Sequence, residues 1–156
     1  MPNSKQHREK ADHNKAFLSS IATANYADWA VVVAFYTAVH LVERLRTKLP
    51  TTICQHSTDH QDRLQFVQKH HRAIHKPYHQ IFNASLIARY QTLGSFNAQF
   101  STLAVEKTLI GRYLTAIEEY VRFEFPTPPT EKVEYLGYMC AVWPDRVVGD
   151  RFSARP

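Results

Sequence analysis

Histidine and arginine recur at helical spacing in the middle of the chain, where they could transfer a proton beside a phosphate. Arg63 follows His60 by three residues and precedes His70 by seven, so the three could share one face of a helix. Histidine carries protons near neutral pH, and arginine stabilises the charge that develops on a phosphorane. A ribonuclease that needs no metal uses this pairing, with the neighbouring ribose hydroxyl as nucleophile. We therefore take Arg63, His70 and His60 as the candidate catalytic residues.

The surrounding stretch is basic and free of acidic residues. No aspartate or glutamate occurs between Asp62 and Glu106, in a chain whose formal net charge is +5. Such a segment is typical of a surface that binds phosphates, and a solvated polar helix face is the alternative. The candidate nucleic-acid-binding residues in it are Lys69, Arg72, Lys76 and Arg89.

A second group lies on the clearest predicted helix. Tyr36, His40 and Glu43 are spaced by four and three residues and therefore share one face. A histidine backed by a carboxylate can act as a proton carrier near neutral pH. The alternative is a core histidine whose ring nitrogen is satisfied by Glu43 or by a backbone carbonyl.

Histidine clustering also raises the question of a metal site. Three pairs have the four-residue spacing that can hold zinc on a helix: His56 with His60, His71 with His75, and His75 with His79. We expect Pro77 to break the helical register within the last pair, and the acid-free stretch offers no carboxylate to complete a site there. The chain has only four glycines and no glycine-rich phosphate loop. The sequence therefore predicts neither a metal nor a cofactor.

The elements that position these residues are predicted to be helical. The 156 residues suit one domain, and 44% apolar with 21% charged residues is typical of a globular protein. Few glycines and long periodic apolar runs favour helices over strands. The predicted helices span 4–23, 28–49, 57–71, 77–92 and a last stretch from Asn97 or Ser101 to Glu124. We therefore predict an all-α fold, an up-and-down bundle of four to five helices with a short irregular C-terminal tail.

Local boundaries and buried positions follow from the same patterns. Asp28 is expected to cap the second helix, Ser57 to cap the third, and Pro77 to lie in the first turn of the fourth. The buried end of the first helix is expected at Ala16, Phe17, Leu18, Ile21 and Ala22. The inward row of the last helix is expected at Val105, Leu109, Leu114, Ile117 and Val121, with Glu118 and Glu119 facing water.

The chain divides into a helical bundle, residues 1–125, and a tail, residues 126–156. The tail opens on a proline cluster and carries several aromatic residues, so it is expected to pack on the bundle or on a partner. No apolar run approaches the roughly 20 residues of a membrane span, and the polar N-terminus lacks a signal-peptide core. The two cysteines have no CxxC spacing. We therefore predict a cytoplasmic protein without a membrane partner.

Three segments together resemble the HEPN superfamily. Residues 28–43 are similar to the central HEPN helix, which carries an aromatic pair, a small residue and a histidine in that order. His-Gln-Asp-Arg at 60–63 resembles the family's His-x-x-Arg segment, and Ser-Leu-Ile-Ala-Arg-Tyr at 85–90 resembles its Ser-x-x-Ala-Arg-Tyr segment. The resemblance covers about residues 22–121. It places Tyr90 among the supporting residues, which are then Tyr36, His40, Glu43 and Tyr90.

The resemblance implies a helical bundle that is commonly homodimeric, with a polar site near the dimer cleft. Many HEPN proteins bind RNA or are metal-independent ribonucleases of toxin–antitoxin or antiviral systems, whereas others are inactive scaffolds. The family's catalytic signature is an arginine followed a few residues later by a histidine. Arg63 with His70 matches it, whereas Gly, Ser and Phe stand at 94–96 after Arg89. The implied partners are RNA, a second copy of the chain and a protein such as an antitoxin.

Two functions follow from these observations. The first is an RNA-binding HEPN-like protein that acts as a metal-independent endoribonuclease in a toxin–antitoxin or antiviral defence system. The second is a non-catalytic bundle for dimerisation or protein interaction, in which residues 60, 63 and 89 form an internal polar network. A groove that gathers the basic residues would favour the first, and side chains bound to internal acceptors would favour the second.

Overall fold

The computed structural model describes residues 2–50, 56–57 and 59–126, and these residues form helices and connections without a β-strand. The first five helices are α1 (Ser4–Ser20), α2 (Ala27–Arg46), α3 (His60–His70), α4 (Arg72–Tyr90) and α5 (Leu93–Gln99). The last helix, α6, consists of three consecutive stretches: Thr102–Ala104, the π-helical Val105–Leu114, and Thr115–Glu124. The prediction of an all-α bundle is confirmed.

These helices belong to one compact unit that ends at Glu124. The tail predicted at 126–156 lies outside the described residues except for Pro126. Within the described ranges, no helix is both long enough and apolar enough to cross a bilayer.

Helix α2 lies at the centre of the unit, packed on α1, α4 and α6. Its fully buried residues are mostly small, which lets the neighbouring helices approach closely: Ala30, Val31, Ala34, Phe35, Ala38 and Val42. Another face of α2 is exposed, because Trp29 and Tyr36 keep 62% and 39% of their surface. The expected cap at Asp28 is wrong, since Asp28 lies in the first turn and the N-cap is Tyr26, whose side chain makes no capping bond.

Helix α1 packs through a stripe of buried residues that begins in its polar N-terminal half. Asn3 and Gln6 form a capping box that fixes its first turn. The buried residues are His7, Ala11 and Leu18, which follow one another at helical spacing. The prediction of a buried C-terminal end is therefore wrong except for Leu18: Phe17 is 56% exposed, Ala16 and Ala22 are exposed, and Ile21 is half-buried. Apolar periodicity did not predict this buried stripe because its first residue is a histidine.

The junction of α3 and α4 lies at His71. Helix α3 begins at His60 because the Asp59 side chain accepts the backbone N–H of Asp62 at 2.8 Å. Ser57, the expected cap, instead accepts a hydrogen bond from the Arg46 guanidinium at 2.6 Å. Helix α4 begins at residue 72, so Pro77 lies inside it and not in its first turn, contrary to the prediction. The helix continues past Pro77.

Helix α6 begins after Ser101, whose side chain accepts the backbone N–H of Ala104 at 3.2 Å. All five residues predicted to face inward are buried. Glu118 was expected to face water, but its carboxylate forms an ion pair with Lys15 on α1. The π-helical stretch contains Gly111, where an added Cβ would lie 2.9 Å from the carbonyl oxygen of Glu106. The wide turn therefore depends on a residue without a side chain at this position.

We expect Gly111→Ala to lower the free energy of unfolding by about 1 kcal/mol or more, although alanine normally stabilises an exposed helix by about that amount. The cause is that the added Cβ would lie 2.9 Å from a backbone oxygen. A backbone atom cannot move aside as the end of a flexible side chain could. Gly94→Ala in α5 is the matched control, because its Cβ would meet only the Thr92 hydroxyl at 3.9 Å. Urea denaturation measures both variants. Equal or greater stability of Gly111→Ala would contradict the explanation.

Candidate functional site

A buried ion pair joins α2 to α3. The Arg63 Nε donates a 2.6 Å hydrogen bond to Oε1 of Glu43, and the two side chains are only 10% and 5% exposed. Burial raises the pKa of Glu43, but hydrogen bonds from Arg63, Ser57 and His56 and the charge of Arg63 outweigh it and hold the pKa below its usual value. Arg63 is therefore neutralised inside the bundle and is not free to hold a phosphate, contrary to the prediction.

The same guanidinium fixes the state of His60. Arg63 Nη1 lies 2.8 Å from Nδ1 of His60, and since arginine can only donate, Nδ1 must accept. Burial, together with the positive charges of Arg63 and Arg89, lowers the pKa of His60, so the ring is neutral near pH 7. A neutral imidazole that accepts at Nδ1 carries its proton on Nε2. His60 can therefore donate a hydrogen bond, and its free nitrogen has no lone pair with which to take a proton.

A second polar contact involves His40, which the sequence grouped with Tyr36 and Glu43. Its Nδ1 lies 3.3 Å from Nδ1 of His7 on α1. Burial first, and then the nearby charges of His7 and Lys10, lower the pKa of His40 to about 4. His40 is thus a neutral, half-buried histidine, and its hydrogen-bond partner among the described residues is another histidine and not Glu43 or a backbone carbonyl.

Sequence reasoning missed His7, which is 5% exposed. Its ring centroid lies 5.3 Å from that of His56, and His56 Nδ1 lies 3.3 Å from Oε2 of Glu43. The signal that could have found His7 is its spacing to Ala11 and Leu18, which together mark the buried stripe of α1. A pattern defined by apolar residues alone does not include a buried histidine.

Four predicted site residues form what we call the Arg89 cluster: Tyr36, His60 and Arg89 contact the ring of Phe35, and Tyr90 contacts the Arg89 guanidinium. The His60 ring packs edge-on at 5.1 Å, and the Arg89 guanidinium carbon lies 5.5 Å from the centroid of Phe35. That carbon also lies 5.9 Å from the Tyr36 ring and 5.2 Å from the Tyr90 ring. Arg89 Nη1 donates to the Tyr36 hydroxyl at 3.4 Å, and its Nε donates to the carbonyl of Ser85 at 3.1 Å.

The remaining basic candidates lie elsewhere. Lys69 lies in the last turn of α3, and Arg72 and Lys76 lie near the start of α4; all three are exposed. Arg89 lies at the other end of α4, and the 17 residues from Arg72 to Arg89 span about 25 Å at 1.5 Å per residue. The predicted single groove is therefore not formed. The absence of acidic residues makes this stretch positively charged, but a straight helix places its basic side chains at different points along the axis, so they do not gather in one groove.

The pairing of Arg63 with His70 is also not formed. His70 is exposed, and its ring contacts Phe66 at 5.3 Å. Seven residues of helix separate it from Arg63 by about 10 Å along the axis, and the Arg63 bonds go to Glu43 and His60. A shared helix face brought these residues to one side of α3 without bringing them together.

The histidines that could hold a metal ion in the structure are not the pairs that four-residue spacing singled out in the sequence. One ring nitrogen each of His7 and His56 and a carboxylate oxygen of Glu43 all lie within 4.8 Å of one another. The pair His75 and His79 is also present, with the rings stacked at 5.9 Å, so Pro77 does not break the register as predicted.

The described residues thus contain an internal network around Arg63 and Glu43, and an exposed group of aromatic rings around one cation at Arg89. The first can hold helices together, and the second can bind planar or anionic ligands. No family model matches the chain, and no curated protein and no solved structure matches it either.

Proposed function

We propose that the protein binds single-stranded RNA through the Arg89 cluster, as a HEPN-like RNA-binding protein. The observation that carries the proposal is a guanidinium flanked by the rings of Tyr36 and Tyr90, which are 39% and 76% exposed. Bases stack on exposed aromatic rings whatever their sequence, and a neighbouring cation attracts the phosphates. Both parts of that chemistry are present in one place.

The charge of Arg89 supports an anionic ligand. In the described part of the chain, no carboxylate forms an ion pair with Arg89, whose hydrogen bonds go to neutral oxygens of Ser85 and Tyr36. Arg63, by contrast, is neutralised by Glu43. His60, whose ring contacts the same Phe35 ring as Arg89, adds an Nε2–H donor. The cluster therefore combines one uncompensated positive charge with a neutral donor and two stacking surfaces.

The arrangement favours binding over cleavage. A ribonuclease needs a base that takes the proton of the ribose hydroxyl, and the bond from Arg63 denies that role to His60. His70 lies apart from the cluster. Endoribonuclease activity in a defence or toxin–antitoxin system, which the HEPN resemblance implies, would need another base.

The test measures the binding of a fluorescently labelled RNA of about a dozen nucleotides, a length suited to one single-strand site. We expect Arg89→Ala or Tyr90→Ala to weaken binding about tenfold, since each stacked base contributes about 1–3 kcal/mol. Affinity should fall as salt rises from about 50 to 200 mM, because phosphate contacts release counterions. EDTA is present throughout, and a gel of the same RNA reports any cleavage.

Lys76→Ala is the matched control, because Lys76 is an exposed cation at the opposite end of α4. We expect its affinity to stay within about twofold of the wild type. Unchanged binding by Arg89→Ala, or an equal loss in Lys76→Ala, would show that the Arg89 cluster is not the RNA site. Cleavage in EDTA that survives His60→Ala would show that another base acts.

The second candidate, a homodimer, is favoured by the exposed apolar face of α2. Trp29, Val33 and Tyr36 follow one another at helical spacing. Phe17 of α1 lines a groove of about 250 Å³ together with Val33 and Tyr36. A second copy of the chain would cover this face, and Tyr36 would then join the dimer contact to the Arg89 cluster. Salt-insensitive or absent RNA binding, together with a dimer mass by light scattering, would favour this function over the first.

A further inference from the structure

We propose that His7, His56 and Glu43 form a structural site for a borderline divalent metal ion such as Zn²⁺, which fastens the start of α1 to α2 and to the segment before α3. None of these three residues belongs to the Arg89 cluster, so the site does not depend on the proposed RNA binding. The ligand set of two imidazoles and one carboxylate suits zinc, which leaves a fourth position for water.

The ligand spacing fits a metal ion of this size. The three ligand atoms lie within 4.8 Å of one another, and His56 Nδ1 lies 3.3 Å from Oε2 of Glu43. Two ligands that each lie about 2.0–2.1 Å from a tetrahedral zinc ion are about 3.3 Å apart. The distance between His56 Nδ1 and Glu43 Oε2 therefore already equals the ligand-to-ligand distance around a tetrahedral zinc ion.

The state of His7 is the independent observation. The side chain is 5% exposed, and its Nε2 is buried without a hydrogen-bond partner among the described residues. A buried polar atom of this kind normally has a partner. Since Nδ1 of His7 lies 3.3 Å from Nδ1 of His40, a hydrogen bond donated to His40 leaves the lone pair on Nε2. Metal-ligating histidines are commonly oriented by such a bond from the other ring nitrogen.

Glu43 can serve two partners at once. Its Oε1 accepts the bond from Arg63, and Oε2 faces His56. The Arg63 guanidinium thereby orients the carboxylate and keeps it ionised, as a ligand must be. The hard cations Mg²⁺ and Ca²⁺ prefer sites built from oxygen ligands, and this site offers two nitrogens.

The test titrates EDTA-treated, dialysed full-length protein with Zn²⁺ and, separately, with Co²⁺ as a spectroscopic probe. We expect about one equivalent to bind, a visible Co²⁺ absorption band typical of low coordination number, and a rise in Tm of about 5–10 °C at saturating Zn²⁺. His7→Asn and His56→Asn should each abolish the band and the Tm rise.

Two further variants control for metal binding by surface histidines. His13→Asn removes an exposed histidine from the same helix, and His79→Asn removes one member of the stacked pair on α4. Both should keep the full response. If circular dichroism shows that His7→Asn does not fold, His56→Asn decides alone, because its side chain is 29% exposed and lies at the edge of the cluster. No response of the wild type, or a response that persists in His56→Asn or is lost in His79→Asn, would overturn the proposal.

Discussion

Replacing Glu43 by alanine is expected to lower the free energy of unfolding by about 3–5 kcal/mol. The substitution leaves the Arg63 guanidinium buried, with its charge uncompensated, and it also removes the acceptor of His56. Removing one partner of a buried pair costs more than the pair contributes, because the remaining charge cannot reach water. Urea denaturation in the presence of EDTA measures the change without a contribution from metal.

Two controls separate this effect from a general loss of helix stability. Glu9→Ala removes the carboxylate of an exposed pair with Lys5 and should change the free energy by less than about 0.5 kcal/mol. The double variant Glu43→Met with Arg63→Met replaces both charges by apolar groups and should recover most of the loss. A loss below about 1 kcal/mol in Glu43→Ala would mean that water reaches the Arg63 guanidinium.

The second large effect is a loss of stability in mild acid. Burial is the first cause that lowers the pKa of His40, His60 and His71, and that of His40 falls from 6.5 to about 4. Between pH 6.5 and about 4 the unfolded chain binds more protons than the folded one. The contribution of these neutral histidines to the free energy of unfolding is therefore fully present above about pH 6.5 and falls as the pH drops towards 4. We expect the free energy of unfolding to fall by about 2–4 kcal/mol between about pH 7.5 and 4.5.

Urea denaturation in EDTA at several pH values tests this expectation. His40→Gln carries no titrating ring, so its loss over the same range should be smaller by about 1–2 kcal/mol. His13→Gln, an exposed position on α1, should behave as the wild type. Glu43 adds little to the loss in this window, because its folded pKa lies below the usual 4.5 and its contribution is lost mainly at lower pH. Equal stability at both ends of the range, or an unchanged loss in His40→Gln, would contradict the assignment of neutral histidines.

The fold was predictable because its strongest signals are local. Apolar periodicity marks α2 and, on either side of the step from Leu109 to Leu114, the inward row of α6, whose five predicted residues are all buried. The face of α1 was not predictable in the same way, because its stripe starts with His7 and the apolar Phe17 is exposed. The continuation of α4 through Pro77 was also missed, because a proline near a helix start is usually its first turn.

The candidate site was predictable in part. Tyr36, His60 and Arg89 meet around Phe35, and Tyr90 contacts Arg89, although 53 residues separate Tyr36 from Arg89. The spacing of residues within one helix predicts which of them share a face, but it does not predict which residues of another helix they contact. It therefore failed for Arg63, which turns inward to Glu43, and it could not reveal three ligands at positions 7, 43 and 56. Those contacts depend on packing between helices, which no local pattern contains.

The wide turn of α6 has a consequence for how this protein would be aligned with others. Leu109 and Leu114 are five positions apart, so in an ordinary helix they would point in different directions, yet both are buried. A π-helical stretch, with bonds from residue i to i+5, returns them to the same side. It has the form of one residue inserted into a regular helix, so a chain one residue shorter here could keep the same inward row. An alignment without a gap at this point would mispair every residue that follows.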